Sequence, residues 1–182
     1  NILTCTRQFA YSTQNNNTID VVLSLNGIPI VALELKNQLT GQSVDNAKRQ
    51  FMYDRDEKEF CFRFNNRFLV YFAVDLYEVA MTTHLQGDKT YFLPFNQGSN
   101  GAGNVGDGGN PECKDGYATS YLWERVLSPD MLLSILQRYI SKQTTESIAL
   151  VKGRKVASKK TILIFPRYHQ LDVVEKVIAD TK

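Results

Sequence analysis

The sequence predicts an α/β domain in which helices cover a central sheet. Residues 18–25 and 28–36 are apolar at nearly every position, which is typical of strands covered on both faces. Residues 43–54 carry a helical apolar stripe after a Ser cap, and residues 128–140 carry a second one that opens on Ser-Pro. The 182 residues are 43% hydrophobic, which suffices for one such core.

The other elements of the first half follow from local composition. Asn26-Gly27 predicts a tight hairpin between the two apolar strands. Segments rich in β-branched and aromatic residues predict further strands, with 77–83 partly exposed, at 2–12, 60–65, 67–75, 77–83 and 91–95.

The second half is less regular. Residues 96–116 are crowded with Gly and Asn and predict a flexible or disordered loop. Its formal GxGxxG at 101–106 is followed by Asp-Gly-Gly-Asn-Pro, which cannot open a helix, so we do not predict a dinucleotide site. Residues 143–160 are interpreted as a linker with a basic end. Residues 161–182 predict a short apolar segment and then an amphipathic helix, with one apolar side formed by Leu171, Val174, Val177 and Ile178.

Composition narrows the function classes. A net charge of +2 and a pI of about 8.4 do not indicate nucleic-acid binding, so any DNA-binding surface must be a local patch. Three distant cysteines predict no disulfide framework and favour a reducing cytoplasm, and two histidines argue against a zinc site. No apolar run reaches the length of a membrane span. The first residue is Asn, so we interpret the chain as an N-terminally truncated fragment of a longer protein.

Three charged side chains interrupt the apolar hairpin: Asp20 in its first strand, and Glu34 and Lys36 in its second. Glu34 and Lys36 are two residues apart and therefore point to one face. A strict two-residue loop would set Asp20 opposite Leu33, on the other face. One extra residue sets Asp20 opposite Glu34 instead. We therefore predict a β-bulge or a three-residue loop in this hairpin.

Two carboxylates and a lysine on rigid strands are suited to metal-dependent phosphodiester cleavage. Asp20, Glu34 and the backbone carbonyl of Leu35 are predicted ligands of Mg²⁺, for which Mn²⁺ is an expected substitute. Mg²⁺ would neutralise the phosphate and help to deprotonate water, while Lys36 would orient that water or stabilise charge. The alternative is a strand that emerges into solvent with ordinary surface charges.

Gln50 and Tyr53 lie three apart on the predicted helix 43–54 and so share a face. We predict that they support the metal site or contact the DNA backbone. A merely polar helix face is the alternative interpretation.

Asp20, fourteen positions before Glu34 and followed by Lys36, resembles the PD-(D/E)xK nuclease motif. The surrounding IDVVLSLNGIPIVALELKN resembles the endonuclease domain of the restriction (motor) R subunit of type I restriction-modification enzymes. FLVYFAVDLYEVAMTTHL, YFLPFNQGSNGAGN and YLWERVLSPDMLLSILQRYI are similar to later stretches of that subunit. The resemblance implies a restriction-endonuclease-like fold, with a central mixed sheet flanked by helices, and makes Asp20, Glu34 and Lys36 the catalytic residues.

The same resemblance implies an endonuclease domain at 1–142, a linker at 143–160 and the start of a helicase-like ATPase motor at 161–182. Gln170, in ILIFPRYHQLDVVEKV, matches a glutamine expected to contact adenine. No Walker A sequence is present, so ATP is expected only in the full subunit. That subunit would join methyltransferase (M) and specificity (S) subunits, translocate on double-stranded DNA and cut both strands away from the recognition site.

Two departures from the family pattern leave alternatives open. Many relatives place a Gln and a Tyr four apart, whereas Gln50 and Tyr53 are three apart. The first helix of the nuclease fold, often the source of another acidic residue, is expected to precede this sequence. A repair or recombination nuclease of the same fold, and a catalytically silent docking domain for DNA or the methyltransferase, are the alternative functions.

Overall fold

The computed structural model describes residues 1–114, 116–151 and 154–181. Within these ranges, the side chains of 149–151 and 154–156 are not described. Short 3₁₀ and π-helical segments occupy Gln38–Thr40 and Leu122–Val126. The strands and longer helices are, in chain order, β1 Leu3–Ala10, β2 Thr18–Leu25, β3 Ile28–Leu35, α1 Val44–Tyr53, β4 Val70–Val74, β5 Val79–Thr82, β6 Leu93–Pro94, α2 Pro129–Arg138, β7 Ser141–Val151, β8 Arg154–Ile164 and α3 Tyr168–Asp180.

The first six strands form one sheet in the order β1-β2-β3-β4-β5-β6. Only β3 and β4, which α1 connects, are parallel, and the other neighbouring pairs are antiparallel. Antiparallel neighbours need only short turns, whereas a parallel pair needs a crossover such as α1. The predicted α/β class and mixed central sheet are confirmed.

Helices cover the sheet through two apolar clusters. One joins α1 to β2–β5 and includes Val22, Ala32 and Phe51. The other contains Leu33, Phe72 and side chains from α2, α3 and the π-helical segment. Because neighbouring strand residues point to opposite faces, Ala32 and Leu33 enter different clusters. The apolar strands are therefore covered on both sides, as their composition predicted.

The β2–β3 hairpin contains the predicted extra residue. Leu25 pairs with Ile28 across the two-residue turn, and Ser24 pairs with Pro29, but Leu23 pairs with Val31, so Ile30 is the bulged residue. Pro29 thus sits at the turn-proximal end, where its missing N–H costs little. Beyond the bulge, Val21 pairs with Leu33, and the next position sets Asp20 across from Glu34.

Two predicted strands differ from the structure. Residues 60–65 form turns, with Phe62 N–H donating to the Glu59 carbonyl at 3.0 Å. Their aromatic content serves packing instead, since Phe62 is fully buried against Tyr11 and Phe68. The strand predicted at 77–83 shortens to β5, whose four residues are all buried and not partly exposed.

In the glycine-rich segment, residues 96–114 form a series of hydrogen-bonded turns, in a region whose composition predicted a flexible or disordered loop. The N–H groups of Gly98 and Ser99 donate to the carbonyls of Gly109 and Asp107 at 2.8 and 2.9 Å. Asn110 secures the base of these turns by donating its amide N–H to the Tyr77 carbonyl at 2.8 Å. Asn side chains here bond to the backbone of the turns and Gly permits their positive φ, so the abundance of both residues does not imply disorder.

Residues 143–151 and 154–160 are strand, in a segment whose composition suggested a linker. They make up most of β7 and β8, which form a separate two-stranded antiparallel sheet. The helix predicted in the tail is present as α3, but its apolar side is only partly covered. Leu171 is buried, whereas Val174 and Val177 are 40% and 56% exposed. Within the described residues, no helix combines the length and hydrophobicity required to cross a membrane.

Candidate active site

Asp20 and Glu34 lie side by side on neighbouring strands at the face covered by α1. Asp20 Oδ2 accepts the N–H of Leu35 at 2.8 Å, which fixes the carboxylate against the end of β3. Asp20 Oδ1 accepts an N–H of the Gln8 amide at 3.2 Å. The register prediction is therefore confirmed, because the bulge turns both carboxylates to one face.

Glu34 is the most unusual polar group in this face. Its side chain is 0% exposed, and Oε1 accepts N–H groups from Arg55 Nε, at 2.9 Å, and from Arg55 Nη2. Its second oxygen, Oε2, has no partner, and no other buried side-chain N or O atom of the described residues lacks one. Burial raises the pKa of Glu34 to about 7; Asp20 adds to the rise and Arg55 opposes it.

Arg55 is built into the structure as a fixed cation. Its side chain is 3% exposed. Besides Glu34, it donates to the backbone carbonyls of Thr18 at 2.7 Å and Asp54 at 3.3 Å, and its guanidinium lies 5.4 Å from the ring centre of Tyr11. Sequence reasoning missed Arg55, which directly follows the predicted helix 43–54. A buried glutamate on a strand does require a cation as its partner, but the spacing of residues in the sequence does not identify Arg55 as that cation.

Gln8 is a second residue that the sequence did not single out. It faces Asp20 from β1, where the regular pairing is interrupted, and it adopts a left-handed backbone with φ of 50°. Its amide oxygen accepts the Thr18 hydroxyl at 2.6 Å while its N–H reaches Asp20. A non-glycine residue in this conformation is strained, and such strain often accompanies functional sites.

Lys36 and Gln50 are in contact, whereas Tyr53 stands apart. Lys36 Nζ donates to Gln50 Oε1 across the gap between β3 and α1. Tyr53 is 63% exposed, with the Arg49 guanidinium 6.0 Å from its ring centre. The structure brings Lys36, Gln50, Asp20 and Glu34 to one region, while Tyr53 lies at its rim.

An open cleft of about 630 Å³ gives access to this region, and it is lined by Gln8, Asn16, Asn17, Thr18, Asp20, Gln50, Tyr53, Asp54 and Arg55. Within residues 1–114, 116–151 and 154–181, no group of three or more His, Cys, Asp or Glu side chains is arranged to hold a metal ion. A cation would therefore have two carboxylates, from Asp20 and Glu34, and would complete its shell with backbone, water or phosphate oxygens.

Gln170 lies far along the chain, in the first turn of α3. Its side-chain oxygen accepts the N–H of Arg167 at 2.9 Å and so closes the cap of this helix. The residue is exposed. The structure thus gives Gln170 a capping role, and its contact with adenine stays a prediction.

The chain is thus an α/β protein with a candidate hydrolytic site. The site combines paired carboxylates on a mixed sheet, a lysine two positions after Glu34 and an open polar cleft. Residues 1–90 match the family model described as type I restriction enzyme R protein N terminus (HSDR_N). The predicted resemblance to the R subunit is therefore confirmed over residues 1–90. The matched segment contains Asp20, Glu34, Lys36 and Arg55. No curated protein and no solved structure matches the chain.

Proposed function

We propose that the chain is the Mg²⁺-dependent DNA endonuclease domain of a type I restriction enzyme R subunit, with a PD-(D/E)xK fold. Glu34 Oε2 carries this proposal, because it is buried, accepts no N–H or O–H group of the described residues and lies beside the Asp20 carboxylate. An unsatisfied buried oxygen costs about 1–3 kcal/mol unless a ligand completes it. Membership of residues 1–90 in the R protein family supports the same function.

The donor set fits Mg²⁺, which commonly takes one or two carboxylates and keeps several waters. Asp20 and Glu34 Oε2 would hold the ion. The Leu35 carbonyl would join them, since its N–H already faces Asp20 and the two groups of a strand residue point to the same side. When bound, Mg²⁺ supplies charge neutralisation of the phosphate and activation of a water.

The surrounding residues of the chain have distinct tasks in this proposal. Arg55 holds Oε1 of Glu34 and thereby keeps Oε2 directed away from the guanidinium. Lys36, held by Gln50, places a cation where it can orient water or stabilise the phosphate. Tyr53, exposed at the rim of the cleft, is suited to contact the DNA backbone.

The wider assignments extend the same proposal. We place the endonuclease domain at 1–142 and the beginning of the ATPase motor at 161–182, with residues 143–160 between them. Double-stranded DNA and the M and S subunits are the proposed partners. ATP would bind the full subunit, with Gln170 on adenine, and the enzyme would act in the cytoplasm.

Lys36→Ala in the full-length R subunit provides the test, assembled with its partners and assayed for plasmid cleavage and ATP hydrolysis. We expect cleavage to fall about 10²-fold or more while ATP hydrolysis persists. Lys48→Ala, on α1 and paired with Asp45 at 2.8 Å, is the matched control and should cut normally.

Metal binding separates a nuclease from a silent docking domain. Mn²⁺ binding to this chain, followed by electron paramagnetic resonance, should be lost in Asp20→Asn and in Glu34→Gln. If Mn²⁺ binding ignored both substitutions and Lys36→Ala cleaved like the wild type, the docking function would replace the proposal.

A further inference from the structure

β7 and β8 form a ribbon that stands apart from the six-stranded sheet. Their pairing runs without interruption from Ser141 opposite Ile164 to Val151 opposite Arg154. Every residue of 141–148 and 157–160 is exposed. Both faces of the ribbon are therefore open to solvent over most of its described length.

The ribbon concentrates the positive charge of the chain. Residues 141–164 contain six Lys or Arg and one Asp or Glu, whereas the whole chain carries a net charge of only +2. The chain outside the ribbon is therefore net negative. A local concentration of basic residues is the electrostatic footprint of a nucleic-acid-binding surface, and in this sequence it falls in the segment 141–164.

The described lysines of the ribbon present cations on both faces. Lys142, Lys159 and Lys160 are all exposed. Lys159 and Lys160 are neighbours on one strand and so point to opposite faces. Lys159 lies 3.4 Å from Glu146, but both side chains are more than 60% exposed, and such surface pairs are weak. DNA phosphates can replace this carboxylate.

The root of the ribbon is fixed in the domain. The Thr83 hydroxyl donates to the Leu163 carbonyl at 2.8 Å, and Leu163 itself is buried. One residue beyond β8, Phe165 is buried with its ring centre 5.8 Å from that of Phe72. The exposed part of the ribbon therefore projects from an anchored base.

We propose that the β7–β8 ribbon is a DNA-binding arm that contacts the phosphates of double-stranded DNA without reading sequence. A two-stranded ribbon fits the major groove, which is lined on both sides by phosphates, and cations on both faces match that arrangement. Each phosphate contact releases counterions, so the contribution of the arm should depend steeply on salt. Lysines on a free strand edge also prevent association between sheets, but that role predicts no effect on DNA affinity.

The test measures binding of the 182-residue chain to a fluorescein-labelled duplex of arbitrary sequence by anisotropy, across a salt series. We expect Lys142→Gln/Lys159→Gln/Lys160→Gln to weaken binding at least tenfold at about 0.1 M salt. The slope of log K against log salt should fall by about 2–3, which corresponds to roughly 0.9 per lost contact.

Lys58→Gln/Lys89→Gln/Lys114→Gln is the matched control, because it removes the same charge from exposed lysines outside the ribbon. This control should change affinity less than twofold, and the thermal melts of both variants should match the wild type. Equal affinities for the two triple variants, or no DNA binding by the wild type at low salt, would overturn the proposal. Mn²⁺ binding at Asp20 and Glu34 is read separately, so loss of the arm function leaves the endonuclease proposal standing and the reverse also holds.

Discussion

Glu34 and Asp172 are both buried carboxylates paired with an arginine, yet only Asp172 has hydrogen-bond donors for both of its oxygens. Asp172 uses both oxygens: Oδ1 accepts from Arg125 at 2.8 Å and Oδ2 from Lys176 at 2.7 Å. Glu34 uses Oε1 alone, for Arg55, and leaves Oε2 buried without a partner. A carboxylate with donors for both oxygens stabilises the fold, whereas one with a free oxygen can also bind a ligand.

The pKa values of the two groups are also shifted in opposite directions. Burial dominates at Glu34 and raises its pKa to about 7. At Asp172 burial also acts to raise the pKa, but the hydrogen bonds from Lys176 and Arg125 outweigh it and lower the pKa below its usual value. Asp172 therefore joins α3 to the π-helical segment 122–126 as a stable ion, while Glu34 is held in a state that a cation would relieve.

The largest expected effect is that of removing the arginine partner of Glu34. Arg55→Met leaves a fully buried carboxylate without its only cation and should lower the free energy of unfolding by about 3–5 kcal/mol. Arg125→Met should cost only about 1 kcal/mol, because the Arg125 side chain is 39% exposed and Lys176 still pairs with Asp172. Urea unfolding at pH 8 in the presence of EDTA measures both.

The double variant Glu34→Gln/Arg55→Met serves as the control for Arg55→Met. Removing both charges should recover much of the stability, because the penalty comes from the charge left behind. Equal and small losses in Arg55→Met and Arg125→Met would show that Glu34 is not the more costly of the two carboxylates.

The pH dependence of stability should have opposite signs at the two sites. The folded state holds the Glu34 proton up to about pH 7, whereas the unfolded chain releases it near 4.5. The folded state thus binds more protons in this window, and stability falls by up to about 3 kcal/mol as pH rises through it. The pKa of Asp172 is lowered, so its contribution is present above pH 3.8 and is lost as pH falls below that value.

Urea unfolding from pH 4.5 to 8 in EDTA, with Glu34→Gln for comparison, checks the sign at Glu34. The difference in the free energy of unfolding between wild type and Glu34→Gln should shrink as pH rises, because only the wild type has a titrating group at this position. A difference that stays constant would mean that Arg55 already keeps Glu34 ionised throughout the range.

The hairpin shows how much of the site could be predicted from the sequence. Side chains alternate with a period of two, so the positions of Asp20 and Glu34 required an extra residue, and Ile30 supplies it. Arg55 lies 21 positions from Glu34, and no local period connects them. Gln8 contacts Asp20 because the pairing of β1 is interrupted at this residue. A polar side chain in the sequence does not predict such an interruption.

The ribbon and the glycine-rich segment contain more regular hydrogen bonding than their composition indicates, for related reasons. A strand exposed on both faces has no apolar alternation, so residues 143–160 resemble a linker in composition. Residues 96–116 owe their order to side-chain caps such as Asn110, which composition does not reveal. Pairing between β7 and β8 orders the ribbon, and the bond from Asn110 to Tyr77, 33 positions away, ties down the glycine-rich segment.

The smallest expected effect tests whether the number of partners or the burial of the free oxygen makes Glu34 special. Lys176→Met removes one of the two partners of Asp172 and leaves it, like Glu34, with one arginine. The Lys176 side chain is 59% exposed, so we expect that removing its ammonium group lets water reach Oδ2 and costs only about 0.5 kcal/mol in urea unfolding. A loss as large as that of Arg55→Met would mean that any carboxylate with one partner is costly here. A small loss would assign the difference to burial, since an oxygen that water can reach needs no ligand, and Glu34 Oε2 is cut off from water.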